Sequence, residues 1–286
     1  MQRFQAGVPF LGFLAICLLL APPAPVHGAS RGSNVPPRQE FEGTVIAWTL
    51  VPLATRGATL NLLVGRPQGV VKRAVLLFPG GKGAGMFRKR EDGFRLLNNS
   101  LVRNAPRFAR EGFVAAIVDA PSDHASGMSD AFRTGTEHLT DVQAAVEHLA
   151  KEGIQEIHLV GTSRGTLSVA YLATQLKHPR VKGYVLTSGM DSVASMPLDE
   201  IAAPVLVVHH TEDACQVTTY AGARAAYARL AKSTRKHFIS VSGGDTPVSG
   251  PCAPLHAHGF LGKETEVVRA IAQWMRGEAA PSWIKP

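Results

Sequence analysis

The chain has 286 residues, enough for one large domain or two small ones, and 45% of them are hydrophobic. Its formal net charge is +8, but the 30 Lys and Arg residues are scattered, with no long basic run and no interleaved aromatic stripe. That distribution excludes the usual footprint of a nucleic-acid binder and leaves only a generally basic surface.

The opening segment, MQRFQAGVPFLGFLAICLLLAPPAPVHGAS, sets Arg3 before an apolar stretch from about Val8 to Ala21, with Gly28 and Ala29 following. This pattern predicts a secretory signal peptide over residues 1–29 and a mature domain over residues 30–286, periplasmic or secreted. The apolar core is shorter than the ~20 residues a membrane span needs, so no stable membrane insertion is expected. An uncleaved anchor is the alternative, and Ile16 before Cys17 is a poor fit to a lipoprotein signal. Cleavage removes Cys17 and leaves Cys215 and Cys252. An even pair in an oxidising compartment predicts a disulfide, against the alternative of two buried thiols.

Residues 30–38 read as a polar linker. Strand patterns follow over 43–50, 58–64 and 73–78, the last nearly all apolar and ending in PGGKGAG. A helix covers part of 100–111, and a buried strand spans 113–119. In HLTDVQAAVEHLAKEG, Leu139, Val142, Val146 and Leu149 share one helical face, and Gly153 ends the helix. An apolar run, Ile157 to Val160, stops at GTSRG, and a helical pattern takes over. Further strands are expected at 183–187, 205–210 and 237–241, and helices at 220–232 and 264–276. Strands alternating with helices imply an α/β fold: a doubly wound, mostly parallel sheet with helices on both faces. The connection from Ser188 to Pro204 is too short for a large cap domain, so an open site is expected.

GTSRG fits the G-x-S-x-G nucleophile elbow, with Ser163 at the apex of a turn between Gly161 and Gly165. The plainer alternative is an ordinary strand–turn–helix with Ser163 as an N-cap. A serine hydroxyl needs a base, and the base needs an orienting acid, here in the chain order Ser, Asp or Glu, His. VLVVHHTEDACQVT supplies Asp213, with Glu212 as the local alternative and Asp191 as the remote one. GPCAPLHAHGFLGKE supplies His258, favoured over His256 because Gly259 lets the loop pass close to the elbow. His124 is a weaker candidate for the base because it precedes the serine, and is a candidate for lining the pocket; His209 and His210 read as supporting or core rings. No H-E-x-x-H or Cys/His spacing asks for a metal, and no cofactor is expected.

An oxyanion needs preorganised donors. The N–H of Arg164, after the serine, is one; the N–H of Gly81 in FPGGKG is the other, with Lys82 next in line. A phosphate-loop reading fails, because Lys82 is followed by Gly83 and not by Ser or Thr. Cys215 lies just after Asp213 and Cys252 just before His258, so a bond between them would staple the acid loop to the histidine loop. By loop entropy such a ring contributes about 4 kcal/mol.

Taken together, FPGG, GTSRG, HHTEDAC and PCAPLHAHGF resemble serine hydrolases of the α/β-hydrolase superfamily, in particular small secreted bacterial members, over nearly the whole mature chain. The resemblance implies Ser163 as nucleophile, Asp213 as acid, His258 as base, and hydrolysis of an ester or related acyl bond in a small-molecule substrate. A peptidase, an acyltransferase or a non-catalytic binding protein on the same fold are the alternatives. Two departures from the family pattern are Pro79, where His is common before the glycine, and the bulky Arg164 after the serine.

Overall fold

The computed structural model describes Met1 and residues 32–286; apart from Met1, the expected signal peptide lies outside the described residues. The segment expected to be a polar linker is paired. Asn34–Val35 runs antiparallel to Gly93–Leu96, which pairs with Phe87–Arg90 to complete a three-stranded sheet. Its alternation explains it: Val35, Phe87, Phe94 and Leu96 are buried, while Arg88, Lys89 and Arg90 face water.

Among the described residues the main sheet has ten strands. In chain order they are β1 (Arg38–Phe41), β2 (Thr44–Thr55), β3 (Ala58–Pro67), β4 (Arg73–Phe78) and β5 (Val114–Val118). Then come β6 (Glu156–Ser163), β7 (Val181–Gly189), β8 (Val205–His210), β9 (Lys236–Val241) and β10 (Trp283–Ile284). Across the sheet the order is β10-β9-β8-β7-β6-β4-β5-β3-β2-β1. Strands β4 to β10 pair in parallel, while β1, β2 and β3 add an antiparallel edge.

The helices are α1 (Ser100–Arg110), the single turn α2 (Asp130–Arg133), α3 (Thr136–Lys151), α4 (Gly165–Gln175), α5 (Tyr220–Arg229) and α6 (Glu264–Met275). Val102 and Phe108 of α1 and Val267 and Ile271 of α6 pack on one face of the sheet. Val142 and Val146 of α3, Val169 of α4 and Ala226 of α5 cover the other. Strands β4, β5 and β8 are near-continuous apolar runs because both of their faces are covered. Burying one such side chain, Leu76 or Val207 for example, stabilises the fold by about 2 kcal/mol. After β7 the chain makes only two short 3₁₀ turns, Asp191–Ser195 and Leu198–Glu200, before β8. The carboxyl ends of β6, β7 and β8 therefore carry loops rather than a cap, at the place where open α/β sheets bind ligands.

Candidate active site

Ser163 ends β6 with φ at +51°, in the left-handed region that a residue with a Cβ adopts only at a cost of about 1–3 kcal/mol. Its neighbours enforce that geometry. A Cβ on Gly165 would lie 2.0 Å from the Phe78 carbonyl oxygen, and one on Gly161 would lie 2.6 Å from the Gly165 oxygen. Both glycines are thus required by backbone packed on backbone, where β4, β6 and α4 meet. The Thr166 hydroxyl donates to the Ser163 carbonyl at 2.6 Å and accepts from the Met190 N–H at 3.1 Å, tying the turn to the end of β7. Ser163 does not cap α4; that position belongs to Arg164, whose side chain makes no capping bond. Instead the Arg164 guanidinium pairs with Asp130, 2.6 Å away.

Asp213 and His258 meet across 45 residues, with His258 Nδ1 at 2.9 Å from Asp213 Oδ2. The Asp213 side chain is fully buried and that of His258 nearly so. The other carboxylate oxygen, Oδ1, accepts from the Cys215 N–H at 3.0 Å. The Thr218 hydroxyl lies 3.1 Å from both Asp213 Oδ2 and His258 Nδ1. His209 Nε2 sits 2.9 Å from the Thr218 carbonyl and 3.4 Å from Asp213 Oδ2, so its Nε2–H tautomer serves both acceptors. Burial alone pushes the Asp213 carboxyl up; hydrogen bonds from His209 and His258, with the His258 charge, outweigh it and hold the carboxyl well below the usual carboxylate range. An anionic Asp213 fixes the proton of His258 on Nδ1 and leaves Nε2 as an acceptor.

The histidine loop is braced from three sides. The Ser188 hydroxyl donates to the His258 carbonyl at 2.7 Å. Ser100 donates to the Gly259 carbonyl at 3.2 Å. Arg103 donates to the Pro254 carbonyl at 2.6 Å and the Gly259 carbonyl at 2.9 Å, and pairs with Glu264 at 2.7 Å. A Cβ on Gly259 would lie 1.9 Å from the Pro254 oxygen, so this glycine answers to its own loop rather than to the elbow. Cys215 and Cys252 form a disulfide, with Cα atoms 4.6 Å apart.

Ser163 and His258 line one cleft of about 350 Å³, together with Gly80, Gly81 and Lys82 of the β4 loop. Met86, Leu97, Asn98 and Asn99, flanking the small sheet, form another part of its wall. No hydrogen bond joins the Ser163 hydroxyl to His258 among the described residues. Gly80 lies against the elbow: a Cβ there would be 2.8 Å from that of Ser163.

The alternative residues fall elsewhere. Glu212 is exposed, and its N–H donates to His210 Nδ1. Asp191 accepts from the N–H and hydroxyl of Thr219, the N-cap of α5. His124 stacks on Phe132, with ring centroids 3.8 Å apart, and does not line the cleft. His256 contributes its carbonyl to the turn through Gly259 and Leu261. His210 bonds the Gly243 carbonyl at 2.8 Å. Thr218, Ser188 and Arg103 carry no sequence signal beyond residue type: Ser188 and Arg103 brace the histidine loop from far along the chain, and Thr218, although close to Asp213 in sequence, also meets His258 across 40 residues.

This architecture is the α/β-hydrolase fold. No family model and no curated protein sequence matches the chain, but solved structures do. The Pyrococcus furiosus esterase Pf2001 superposes with a TM-score of 0.57 at 14% identity, over 82% of this chain and 93% of that one. Est1E from Butyrivibrio proteoclasticus gives 0.56 at 15% identity, over 80% of this chain and 98% of that one. The acylaminoacyl peptidase of Pyrococcus horikoshii gives 0.56 at 13% identity, over 81% of this chain but 41% of that one.

Proposed function

We propose that the protein is a serine hydrolase, exported to the periplasm or secreted, that cleaves an ester or related acyl bond in a small molecule. The observation that carries this reading is a buried Asp213–His258 hydrogen bond sharing one cleft with a serine held at φ +51° on an elbow. The esterase names of the similar structures support the hydrolase class. The disulfide supports an oxidising compartment, as does the N-terminal apolar pattern.

In this mechanism His258 Nε2 takes the hydroxyl proton of Ser163 as Oγ bonds to the substrate carbonyl carbon. The resulting oxyanion is held by the N–H groups of Gly81 and Arg164. As it collapses, the carbon–oxygen bond to the leaving alcohol breaks, and that oxygen takes the proton from His258. Water then adds to the acyl-enzyme with His258 again as base. The carboxylic acid leaves, and Ser163 regains its proton. Asp213 orients His258 and stabilises it as an imidazolium. No metal or cofactor is needed for these steps.

The test is labelling with a fluorophosphonate, which reacts only with an activated serine, alongside a panel of p-nitrophenyl esters and matched anilides. Labelling of the wild type but not of Ser163→Ala, with ester turnover, is the expected result. Labelling that survives in Ser163→Ala, or a wild type inert to both reagents, sinks the reading. The ester-to-anilide ratio separates an esterase from a peptidase.

A further inference from the structure

Arg133, the last residue of α2, is fully buried, yet no carboxylate lies within ion-pair distance of it among the described residues. Its guanidinium goes to other acceptors. Nη2 donates to the Pro79 carbonyl at 3.3 Å and to the Gly81 carbonyl at 3.2 Å, and Nη1 donates to the Ser168 hydroxyl at 3.3 Å. Nε has no partner. Gly83 makes room for it, since a Cβ there would lie 2.4 Å from Nη2. Burial, and secondarily the charge of Arg164, push this guanidinium down to about 10, so it is still a cation at neutral pH.

The clamped carbonyls belong to the loop that walls the cleft beside Ser163. Between them, the Gly80 carbonyl accepts from the Gly83 N–H at 3.2 Å. Three consecutive carbonyls are therefore tied down. In a trans peptide the N–H points opposite to the C=O, and there is no cis peptide in the described residues. The N–H groups of Gly80 and Lys82, which share peptides with the two clamped carbonyls, are thus turned away from Arg133, and Gly80, Gly81 and Lys82 all line the cleft. Gly81 sits at φ +59°, the left-handed backbone that anion-binding turns use.

We propose that Arg133 is a positioning residue for the oxyanion site, its guanidinium fixing the Pro79 and Gly81 carbonyls on either side of the peptide that carries the Gly81 N–H, so that this N–H stays turned into the cleft. The inference rests on the hydrolase reading above. Its chemistry is that of preorganisation: donors already aimed where negative charge develops need no reorganisation during the reaction. A buried cation beside these two peptides adds positive potential where the oxyanion forms. A methionine of similar length would fill the space without burying a charge, a cost that an unpaired guanidinium carries.

The experiment compares wild type, Arg133→Met and Arg133→Lys for p-nitrophenyl ester kinetics, inhibition by a trifluoromethyl ketone, and melting temperature. The ketone adds to the serine and reports on oxyanion binding. In Arg133→Met, kcat is expected to fall about 100-fold, with ketone affinity falling in parallel and KM within about threefold of wild type. Arg133→Lys, which keeps the charge but not the fork, recovers part of both. A folded Arg133→Met with kcat and ketone affinity within about threefold of wild type overturns the proposal. If neither variant folds, the wild-type structure with the ketone decides. Its oxygen bound by the Gly81 N–H, with Arg133 still on the Pro79 and Gly81 carbonyls, supports the proposal; an oxygen bound away from the Gly81 N–H, or an Arg133 released from both carbonyls, overturns it. Fluorophosphonate labelling keeps the two readings apart, because the hydrolase reading is judged on the wild type and Ser163→Ala and not on the Arg133 variants.

Discussion

The elbow around Ser163 and the paired loops that carry Asp213 and His258 are built in opposite ways. The elbow is local: five residues, two glycines and a strained serine, fixed where β4, β6 and α4 pack backbone against backbone. The loops are assembled from a distance. Asp213 and His258 lie 45 residues apart and are brought together by Thr218, His209, Ser188, Arg103 and one disulfide. A local device can fail only by steric change at the turn, whereas a distributed one loosens by degrees as its braces are removed.

The largest expected effect is at the elbow. Ser163→Ala should lower ester turnover by about 10⁴-fold or more while leaving the melting temperature within a few degrees of wild type. Activity near wild type would show that the local device is not the reactive one. Removing the staple should give a smaller and graded effect. With Cys215→Ser and Cys252→Ser together, kcat is expected to fall about 10- to 100-fold, since misplacement near 1 Å has that cost. The melting temperature should also drop. Hydrogen exchange sharpens the contrast: amides of residues 211–219 and 250–260 should lose protection while those of 161–166 keep theirs. Equal loss in both regions would erase the distinction between them.

Thr218→Val tests a single brace. It removes one donor to the Asp213 carboxylate and should cost about three- to tenfold in kcat, with KM little changed. A value unchanged within error would mean that His209, His258 and the Cys215 N–H suffice.

The last effect is on acid stability rather than turnover and lies outside both regions. His138 and His158 are pushed down to about 3, chiefly by burial, with nearby cations contributing. Between about pH 6.5 and 3 the unfolded chain binds protons at these rings and the native one does not, so stability falls as pH is lowered. Each ring contributes a slope of up to about 1.4 kcal/mol per pH unit. His138→Phe, set between Phe78 and Phe132, should flatten the melting temperature against pH relative to wild type. Asp119 and Asp141, raised by burial, act in the opposite sense, but they cancel in that comparison. An unchanged slope would mean that His138 binds its proton in the native state.

The same division governs what could be read from the sequence. The fold was legible because β4, β5, β6 and β8 are buried on both faces and so spell themselves as apolar runs. The elbow was legible because its glycines are required over five residues. Asp213 and His258 could be chosen by their place after a strand, and the cysteines beside them narrowed that choice. Thr218, Ser188 and Arg103 were not legible, because a threonine, serine or arginine declares its partner only after the chain has folded. The small sheet was hidden for another reason. Its hairpin strands are four residues each, and Arg88, Lys89, Arg90, Glu91 and Asp92 crowd its turn, so charge masks the short alternation of Phe87, Phe94 and Leu96.

That small sheet has a practical bearing on handling the protein. Asn34–Val35 forms one edge of it, and the Leu96 N–H donates to the Ser33 carbonyl. The adjoining Met86 and Leu97 bond to each other and wall the cleft. An expression variant trimmed to begin at β1 would strip the outer strand from this hairpin and unseat part of the cleft wall, although every residue proposed for the chemistry would still be present. A bulky affinity tag fused directly before residue 33 would hang beside the same wall. For purification and crystallisation, the N-terminal boundary is therefore best set upstream of Gly32, with any tag removed before activity is measured.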